Sequence, residues 1–337
     1  MVKKILSDLF KGIQMPNVNE PNFGKNPPMC GHEIWDAEPL VGKISGDFAN
    51  QLITIKDLEM RLDKIFSAFR GMEKPVPIFI IGPPGVGKTE LVLELGRKNN
   101  LTVHTYIAST MDPTQVMGLP YPVHPRGEQR TGTTVWYPDQ TFVVGNQGEG
   151  HVYFFDELNM APPATQAAFY RLILEGRLGN IDISRALRIG AGNRTQDYEN
   201  VQRMGLPLAT RFQIYLLRAD IDSWLDWASE NDINDFILYY LYQVSVQMKA
   251  KGNMNDARWF CINPEVPGFA RATPRSWTRL SRLMDIGLDG KEDVLGALGS
   301  VPGTLFHEWY VIAKRMVTEK GKATYRKGME YEGSSSY

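Results

Sequence analysis

An apolar run that ends in glycines and prolines constrains the fold more than any other part of the sequence. The stretch "PIFIIGPPGVGKTE", residues 77–90, reads as a buried strand, a glycine turn and the start of a helix. Backbone N–H groups in such a turn and at a helix N-terminus converge, and the helix dipole there favours negative charge. The stretch therefore predicts an anion site between a strand and a helix.

The spacing of this stretch matches the phosphate-binding loop G-x-x-x-x-G-K-[ST]. We predict that Lys88 contacts the β and γ phosphates of a nucleotide and that Thr89 is a ligand of Mg²⁺. The alternative is a plain strand–turn–helix connection, but this spacing is rare by chance. The residues predicted to bind the nucleotide are Gly82, Pro83, Pro84, Gly85, Val86, Gly87, Lys88, Thr89 and Glu90.

Whole-chain properties are compatible with a nucleotide-binding protein. A length of 337 residues predicts about two domains, and a net charge of -1 gives no overall attraction to nucleic acid or to an anionic membrane. Only Cys30 and Cys261 are present, which favours a reducing compartment over a disulfide framework. No apolar run approaches about 18 residues, so we expect a cytoplasmic protein that does not span a membrane.

The order of apolar and amphipathic segments divides the chain into four parts. We predict a Pro-rich N-terminal arm over 1–50, an α/β domain over 51–218, a small helical domain over 219–320 and a flexible tail over 321–337. A helix over 53–70 precedes a parallel sheet whose faces are covered by helices. The five predicted strands of this sheet are 76–81, 101–107, 151–155, 186–191 and 212–217.

Two adjacent acids follow the third of these predicted strands. In "HVYFFDELN" the apolar run ends in Asp156 and Glu157, at the sheet edge where a phosphate loop also lies in open α/β folds. Asp156 suits the Mg²⁺ shell, and Glu157 suits the polarisation of a water that attacks the γ phosphate. The alternative is a pair of solvated loop acids. We favour the functional interpretation, because the two acids follow an apolar strand and the chain also contains a phosphate loop.

An asparagine follows the next predicted strand, in "LRIGAGNRTQD". The neutral amide of Asn193 is suited to orienting an attacking water without competing as a base. The alternative is a turn asparagine, which is common after strands. Both interpretations stay open on the residues alone.

The order of these motifs resembles the MoxR branch of the AAA+ ATPases, over about residues 50–315. Beyond the phosphate loop, the resemblance is carried by "DPTQVMGLP", "DELNMAPPATQAAFYRLILEGRLG", "RMGLPLATRF" and "TPRSW". It implies an AAA+ core with a parallel sheet, followed by an all-helical lid, and an enzyme that hydrolyses ATP with Mg²⁺. Members of this branch are chaperone-like, commonly work beside a von Willebrand factor A domain protein and assemble as rings, usually hexamers.

The resemblance also implies roles for individual residues. Gly82 to Thr89 correspond to the Walker A loop and Asp156 with Glu157 to the Walker B pair, with Glu157 as catalytic base. Asn193 corresponds to the sensor 1 position, Arg211 to an arginine finger presented to a neighbouring subunit, and Arg275 to the sensor 2 arginine of the lid. The arm and the variable segment over 123–140 receive no role.

A nucleic-acid-tracking or packaging-related motor on the same ATPase core is the second hypothesis. Near-neutral charge and the lack of a basic-aromatic motif argue against it. A basic run near the C-terminus is compatible either with nucleic acid or with a solvated helix face: Lys314, Arg315, Lys320, Lys322, Arg326 and Lys327.

Overall fold

The computed structural model describes most of the chain, and it divides between Arg218 and Ala219 into two compact units. The described residues are 52–123, 132–137, 142, 148–178, 181–194, 210–250 and 272–332, with the side chains of 248, 250 and 320–332 left out. The arm predicted over 1–50, both cysteines and much of the variable segment over 123–140 lie outside these residues.

The described residues contain ten strands and nine α-helices. The strands are β1 (Leu52–Ile53), β2 (Ile78–Ile81), β3 (Thr102–Ile107), β4 (Leu119–Val123), β5 (Thr133–Tyr137), β6 (His151–Asp156), β7 (Arg177–Leu178), β8 (Ile181–Asp182), β9 (Leu187–Gly192) and β10 (Gln213–Leu217). The helices are α1 (Ile55–Ala68), α2 (Lys88–Lys98), α3 (Pro113–Met117), α4 (Pro163–Glu175), α5 (Ile221–Ala228), α6 (Asp235–Ala250), α7 (Pro274–Asp285), α8 (Lys291–Leu298) and α9 (Ser300–Glu332).

A six-stranded parallel sheet organises the unit that ends at Arg218. Its strand order is β1-β10-β2-β9-β6-β3, and every neighbouring pair is parallel. Strands β2 and β9 lie inside the sheet and are buried at every position, as expected where helices cover both faces. The parallel α/β fold is confirmed.

The sheet has one strand more than the five predicted from the sequence. Leu52 and Ile53 pair with Leu216 and Leu217 of β10 and form an edge strand. The prediction had assigned residue 53 to the following helix, because two residues are too short to show a strand pattern. The helix itself starts later, at Ile55, where the Thr54 hydroxyl caps it by accepting a hydrogen bond from the backbone N–H of Asp57 at 3.1 Å.

Helices form the described part of the second unit, around an aromatic core. Tyr240, Trp277 and Phe306 are fully buried and contact one another, with Tyr240 and Phe306 edge to face at 5.1 Å between ring centres. The final helix α9 continues to Glu332, so residues 321–332, predicted as tail, are helical. No helix within the described ranges is both long enough and apolar enough to cross a membrane.

The variable segment predicted over 123–140 overlaps a two-stranded antiparallel hairpin in its described part. Strands β4 and β5 form this hairpin, and its apolar side chains are largely exposed. The rings of Tyr121 and Tyr137 meet edge to face across it at 5.9 Å. Both tyrosines are more than half exposed.

Candidate nucleotide-binding site

The loop between β2 and α2 has the backbone shape that its glycines predict. Gly85 and Gly87 have φ angles of 74° and 96°, in the left-handed region that side chains with a Cβ rarely adopt. Gly82 is required for packing, because a Cβ there would lie 2.7 Å from the Cβ of Leu217 on β10. The left-handed Gly87 is also the N-cap of α2, so a turn with no side chains at its bends leads directly into a helix N-terminus.

The ammonium group of Lys88 lies inside this loop. Its Nζ donates to the carbonyl oxygens of Gly82 and Pro83, at 2.9 and 3.0 Å, and to Oδ1 of Asn193 at 3.2 Å. The side chain is buried, with 7% of its surface exposed. The structure thus brings together the predicted phosphate-binding lysine and the predicted water-orienting asparagine, 105 positions apart in sequence.

The predicted magnesium ligands lie side by side. Thr89 is in the first turn of α2, Asp156 ends β6, and the Thr89 hydroxyl donates to Oδ2 of Asp156 at 2.5 Å. Hydroxyl and carboxylate oxygens beside a phosphate-type loop are the donor set that Mg²⁺ prefers when it binds with a nucleotide. The residues present therefore fit Mg²⁺ and a nucleotide phosphate.

Glu157 adopts a backbone conformation that is uncommon for a residue with a side chain. Its φ and ψ are 54° and 30°, a conformation that costs on the order of 1–3 kcal/mol at a non-glycine residue. Its N–H donates to Oδ1 of Asp156 at 2.9 Å, and its Oε2 accepts from the hydroxyl of Ser109 at 2.5 Å. This turn directs the two adjacent carboxylates to different partners.

Sequence reasoning missed Ser109 and Asn159, which both contact predicted site residues. Ser109 follows β3, the sheet neighbour of β6, so the two strands bring it beside Glu157. Asn159 is buried in the turn after Glu157 and hydrogen-bonds to the backbone of Asn193. Ser109 lies just after a predicted strand, and this position could have indicated that it is near the site. The contact of Asn159 with Asn193 can be seen only in the three-dimensional structure.

Arg211 lies at the opposite end of the sheet from the loop of its own chain. It is exposed and precedes β10, whose first residue Gln213 pairs with Ile78, the first residue of β2. Arg211 stands two residues before this pair and Gly82 four residues after it. The length of β2 therefore separates Arg211 from the loop of its own chain.

Arg275 belongs to the other compact unit. It is exposed in the first turn of α7, which begins at Pro274. Thr273 caps this helix by accepting a hydrogen bond from the backbone N–H of Ser276 at 3.0 Å. The contact of Arg275 with a nucleotide stays a prediction.

Comparison with known families identifies the class of the α/β unit. Residues 77–212 match the AAA domain of the dynein-related subfamily, and this part of the chain has a P-loop AAA fold. The match begins immediately before β2 and ends immediately before β10. It contains the phosphate loop, the two adjacent acids, Asn193 and Arg211.

Solved structures with a similar arrangement include RuvB from Thermotoga maritima. A RuvB mutant is 18% identical, with 76% of this chain and 69% of that chain covered and a TM-score of 0.42. The structure described as the RuvB Holliday junction branch migration motor is 17% identical, with coverages of 80% and 72% and a TM-score of 0.40.

A protein from Cytophaga hutchinsonii, provisionally assigned as an ATPase, is similar over a shorter part of the chain. It is 16% identical, with 54% of this chain and 52% of that chain covered and a TM-score of 0.35. No curated protein sequence matches the chain significantly.

Proposed function

We propose that this protein is a Mg²⁺-dependent ATP hydrolase of the MoxR type, which forms a ring and uses hydrolysis to remodel a partner protein. One observation carries the hydrolase part of the proposal. Within an AAA domain, Lys88, Thr89, Asp156, Glu157 and Asn193 converge at the carboxyl ends of three adjacent strands.

Backbone groups and side chains would both bind the nucleotide. The backbone from Gly82 to Gly87 would surround the phosphates, and Lys88 would neutralise part of their charge. Thr89 and Asp156 would hold Mg²⁺, which supplies further neutralisation of the phosphate oxygens. The burial of Lys88 supports this role, because electrostatic attraction is stronger away from water.

Glu157 and Asn193 are the proposed hydrolytic pair. The carboxylate of Glu157 would accept a proton from the attacking water, and the amide of Asn193 would orient that water. The protein forms no covalent bond to phosphate in this scheme, so positioning and charge stabilisation provide the rate increase.

The two arginines are proposed to connect hydrolysis with assembly and with motion. Since Arg211 lies at the opposite end of the sheet from its own loop, it would act on the ATP site of a neighbouring subunit. Arg275 would contact the γ phosphate when the helical lid closes. We also propose a hexameric ring, a cytoplasmic location and a von Willebrand factor A domain protein as the partner.

ATP turnover by purified protein, with and without Mg²⁺, tests the hydrolase. We expect Mg²⁺-dependent release of phosphate from the unsubstituted chain and loss of nucleotide binding in Lys88→Ala. Lys98→Ala is the matched control, because Lys98 lies on the same helix but is exposed and paired with Asp63 at 2.9 Å. Equal ATP affinity in both variants would contradict the assignment of Lys88.

A pulldown and a stimulation assay test the remodelling role. Recovery of a von Willebrand factor A domain protein, dependent on ATP and absent with Lys88→Ala, is the expected result. Strong stimulation of turnover by DNA or RNA at low salt, with steep loss as salt rises, would instead favour the nucleic-acid motor.

A further inference from the structure

Asn159 occupies a buried place between the proposed base and the proposed water-orienting residue. It lies in the single helical turn Leu158–Met160 that follows Glu157, and only 2% of its surface is exposed. A buried amide must be hydrogen-bonded, since an unsatisfied polar group in the interior is costly. Its partners therefore indicate what the side chain does.

Both polar atoms of the Asn159 side chain bind the backbone of one residue, Asn193. Its Nδ2 donates to the carbonyl oxygen of Asn193 at 2.7 Å, and its Oδ1 accepts from the backbone N–H of Asn193 at 3.1 Å. Asn193 follows the last residue of β9, where the parallel ladder ends. The Asn159 amide thus supplies the backbone partners of Asn193 beyond the end of the strand.

Gly192 makes this close approach possible. A Cβ at position 192 would lie 2.5 Å from Oδ1, 2.7 Å from Cγ and 2.9 Å from Nδ2 of Asn159. The carbonyl of Gly192 also accepts from the backbone N–H of Gly82 at 3.3 Å. Gly192 therefore contacts the phosphate loop through its backbone and leaves space for the Asn159 amide.

We propose that Asn159 is a positioning residue for hydrolysis. By holding both backbone groups of Asn193, it fixes the amide of Asn193, whose Oδ1 is 3.2 Å from Nζ of Lys88. It also joins the turn that carries Glu157 to the strand end that carries Asn193, so the base and the water-orienting amide keep a fixed separation. The effect on turnover rests on the proposed function, whereas the effect on the backbone of Asn193 does not.

Asn159→Ala tests this role by removing both hydrogen bonds. We expect the backbone amide of Asn193 to exchange with deuterium faster than in the unsubstituted chain. We expect kcat to fall about 10-fold, because a misplaced water-orienting amide lowers the rate, while the dissociation constant for ATP changes little. Asn99→Ala is the matched control, because Asn99 is the C-cap of α2, and its amide donates to Asp63 and to the carbonyl oxygen of Leu95.

A double variant separates positioning from packing. Gly192→Ala alone pushes its new Cβ into the Asn159 amide and should lower both the unfolding temperature and kcat. Adding Asn159→Ala removes the obstructing atoms, so the unfolding temperature should recover relative to Gly192→Ala while kcat stays low. Recovery of kcat together with stability would overturn the proposal, because packing alone would then explain the effect.

The two readouts distinguish this proposal from the proposed function. If the unsubstituted chain hydrolyses no ATP, the proposed function fails, and the exchange rate at Asn193 still decides whether Asn159 holds that backbone. If the unsubstituted chain hydrolyses ATP and Asn159→Ala keeps full kcat, the positioning role alone is wrong. An unchanged exchange rate at Asn193 in Asn159→Ala overturns it in either case.

Discussion

The hydroxyl of Thr89 donates a hydrogen bond to Oδ2 of Asp156 at 2.5 Å, although the two residues are 67 positions apart in sequence. Thr89 stands just after β2 and the loop, Asp156 ends β6, and β9 lies between these strands in the sheet. The parallel register therefore assembles two oxygen donors for a divalent cation from two separate motifs.

Removal of the Thr89 hydroxyl should weaken the proposed use of Mg²⁺. Thr89→Val keeps the shape of the side chain but has no oxygen, so we expect the Mg²⁺ concentration for half-maximal turnover to rise about 10-fold or more. Thr89→Ser keeps the hydroxyl, so its Mg²⁺ concentration for half-maximal turnover should stay near that of the unsubstituted chain. Titration of turnover with Mg²⁺ checks both, and indistinguishable curves for Val and Ser would argue against Thr89 as a ligand.

Loss of the Ser109 hydroxyl should slow hydrolysis without weakening nucleotide binding. Ser109 donates to Oε2 of Glu157 and holds its carboxylate in one orientation. Because a misplaced base loses rate, we expect kcat of Ser109→Ala to fall about 5- to 10-fold. Ser109→Thr retains a hydroxyl and is the control; a kcat for Ser109→Ala at or above that of the unsubstituted chain would refute the orienting role.

Arg211→Ala should abolish turnover in a ring while leaving ATP binding intact. An arginine finger contributes on the order of 10³ to 10⁵ in rate in other phosphoryl-transfer enzymes. Mixing Arg211→Ala with Lys88→Ala should restore part of the activity, because Lys88→Ala subunits still present Arg211 to their neighbours. Each protein is first assayed alone, and then the mixtures are assayed across subunit ratios.

Arg171→Ala is the control for this experiment. Arg171 is an exposed arginine of the same unit that pairs with Glu175 at 3.2 Å on one helix, so its removal should have little effect. Full turnover of Arg211→Ala alone, or an active protein that is monomeric at every concentration, would rule out action between subunits.

A pair of histidines at the edge of the sheet should make stability depend on pH. Nε2 of His104 lies 2.8 Å from Nδ1 of His151, and burial, followed by the charge of His151, lowers the pKa of His104 from 6.5. The folded chain therefore binds a proton at His104 less readily than the unfolded chain does. The free energy of unfolding should fall as the pH drops below about 6.5 and be independent of this group above it.

The histidine prediction is checked by thermal unfolding between pH 5 and 8. His104→Phe keeps an aromatic ring against Tyr153, whose ring is 4.9 Å from that of His104, and removes the titrating group. Its unfolding temperature should depend less steeply on pH over the acidic half of this range. His307→Gln, in the other unit, controls for the loss of any histidine, and an equal slope in His104→Phe and the unsubstituted chain would disprove the assignment.

Much of the α/β fold could be predicted because its central strands are buried and continuous. The apolar runs over 76–81 and 186–191 correspond to β2 and β9 within two residues. The edge strand β1 escaped prediction because two residues form it and the neighbouring strand defines it. Parallel order and register are long-range properties that single segments do not encode.

Those parts of the site that have a distinctive sequence pattern could be predicted. The phosphate loop and the two acids are of this kind, since Lys88, Thr89, Asp156 and Glu157 follow apolar strands at fixed positions. Asn159 could not be recognised, because an asparagine in a loop sequence looks like a turn residue. Its importance lies in the contact with Asn193, which exists only when β6 and β9 are neighbours.

The most direct test of the proposed hydrolase compares single-turnover ATP cleavage by the unsubstituted chain and by Glu157→Gln, at saturating Mg²⁺ and equal bound ATP. Glutamine occupies the same space and can still accept from Ser109 but is a far weaker base, so we expect ATP to stay bound while cleavage slows about 100-fold or more. Cleavage by Glu157→Gln at the rate of the unsubstituted chain would contradict the account of this site.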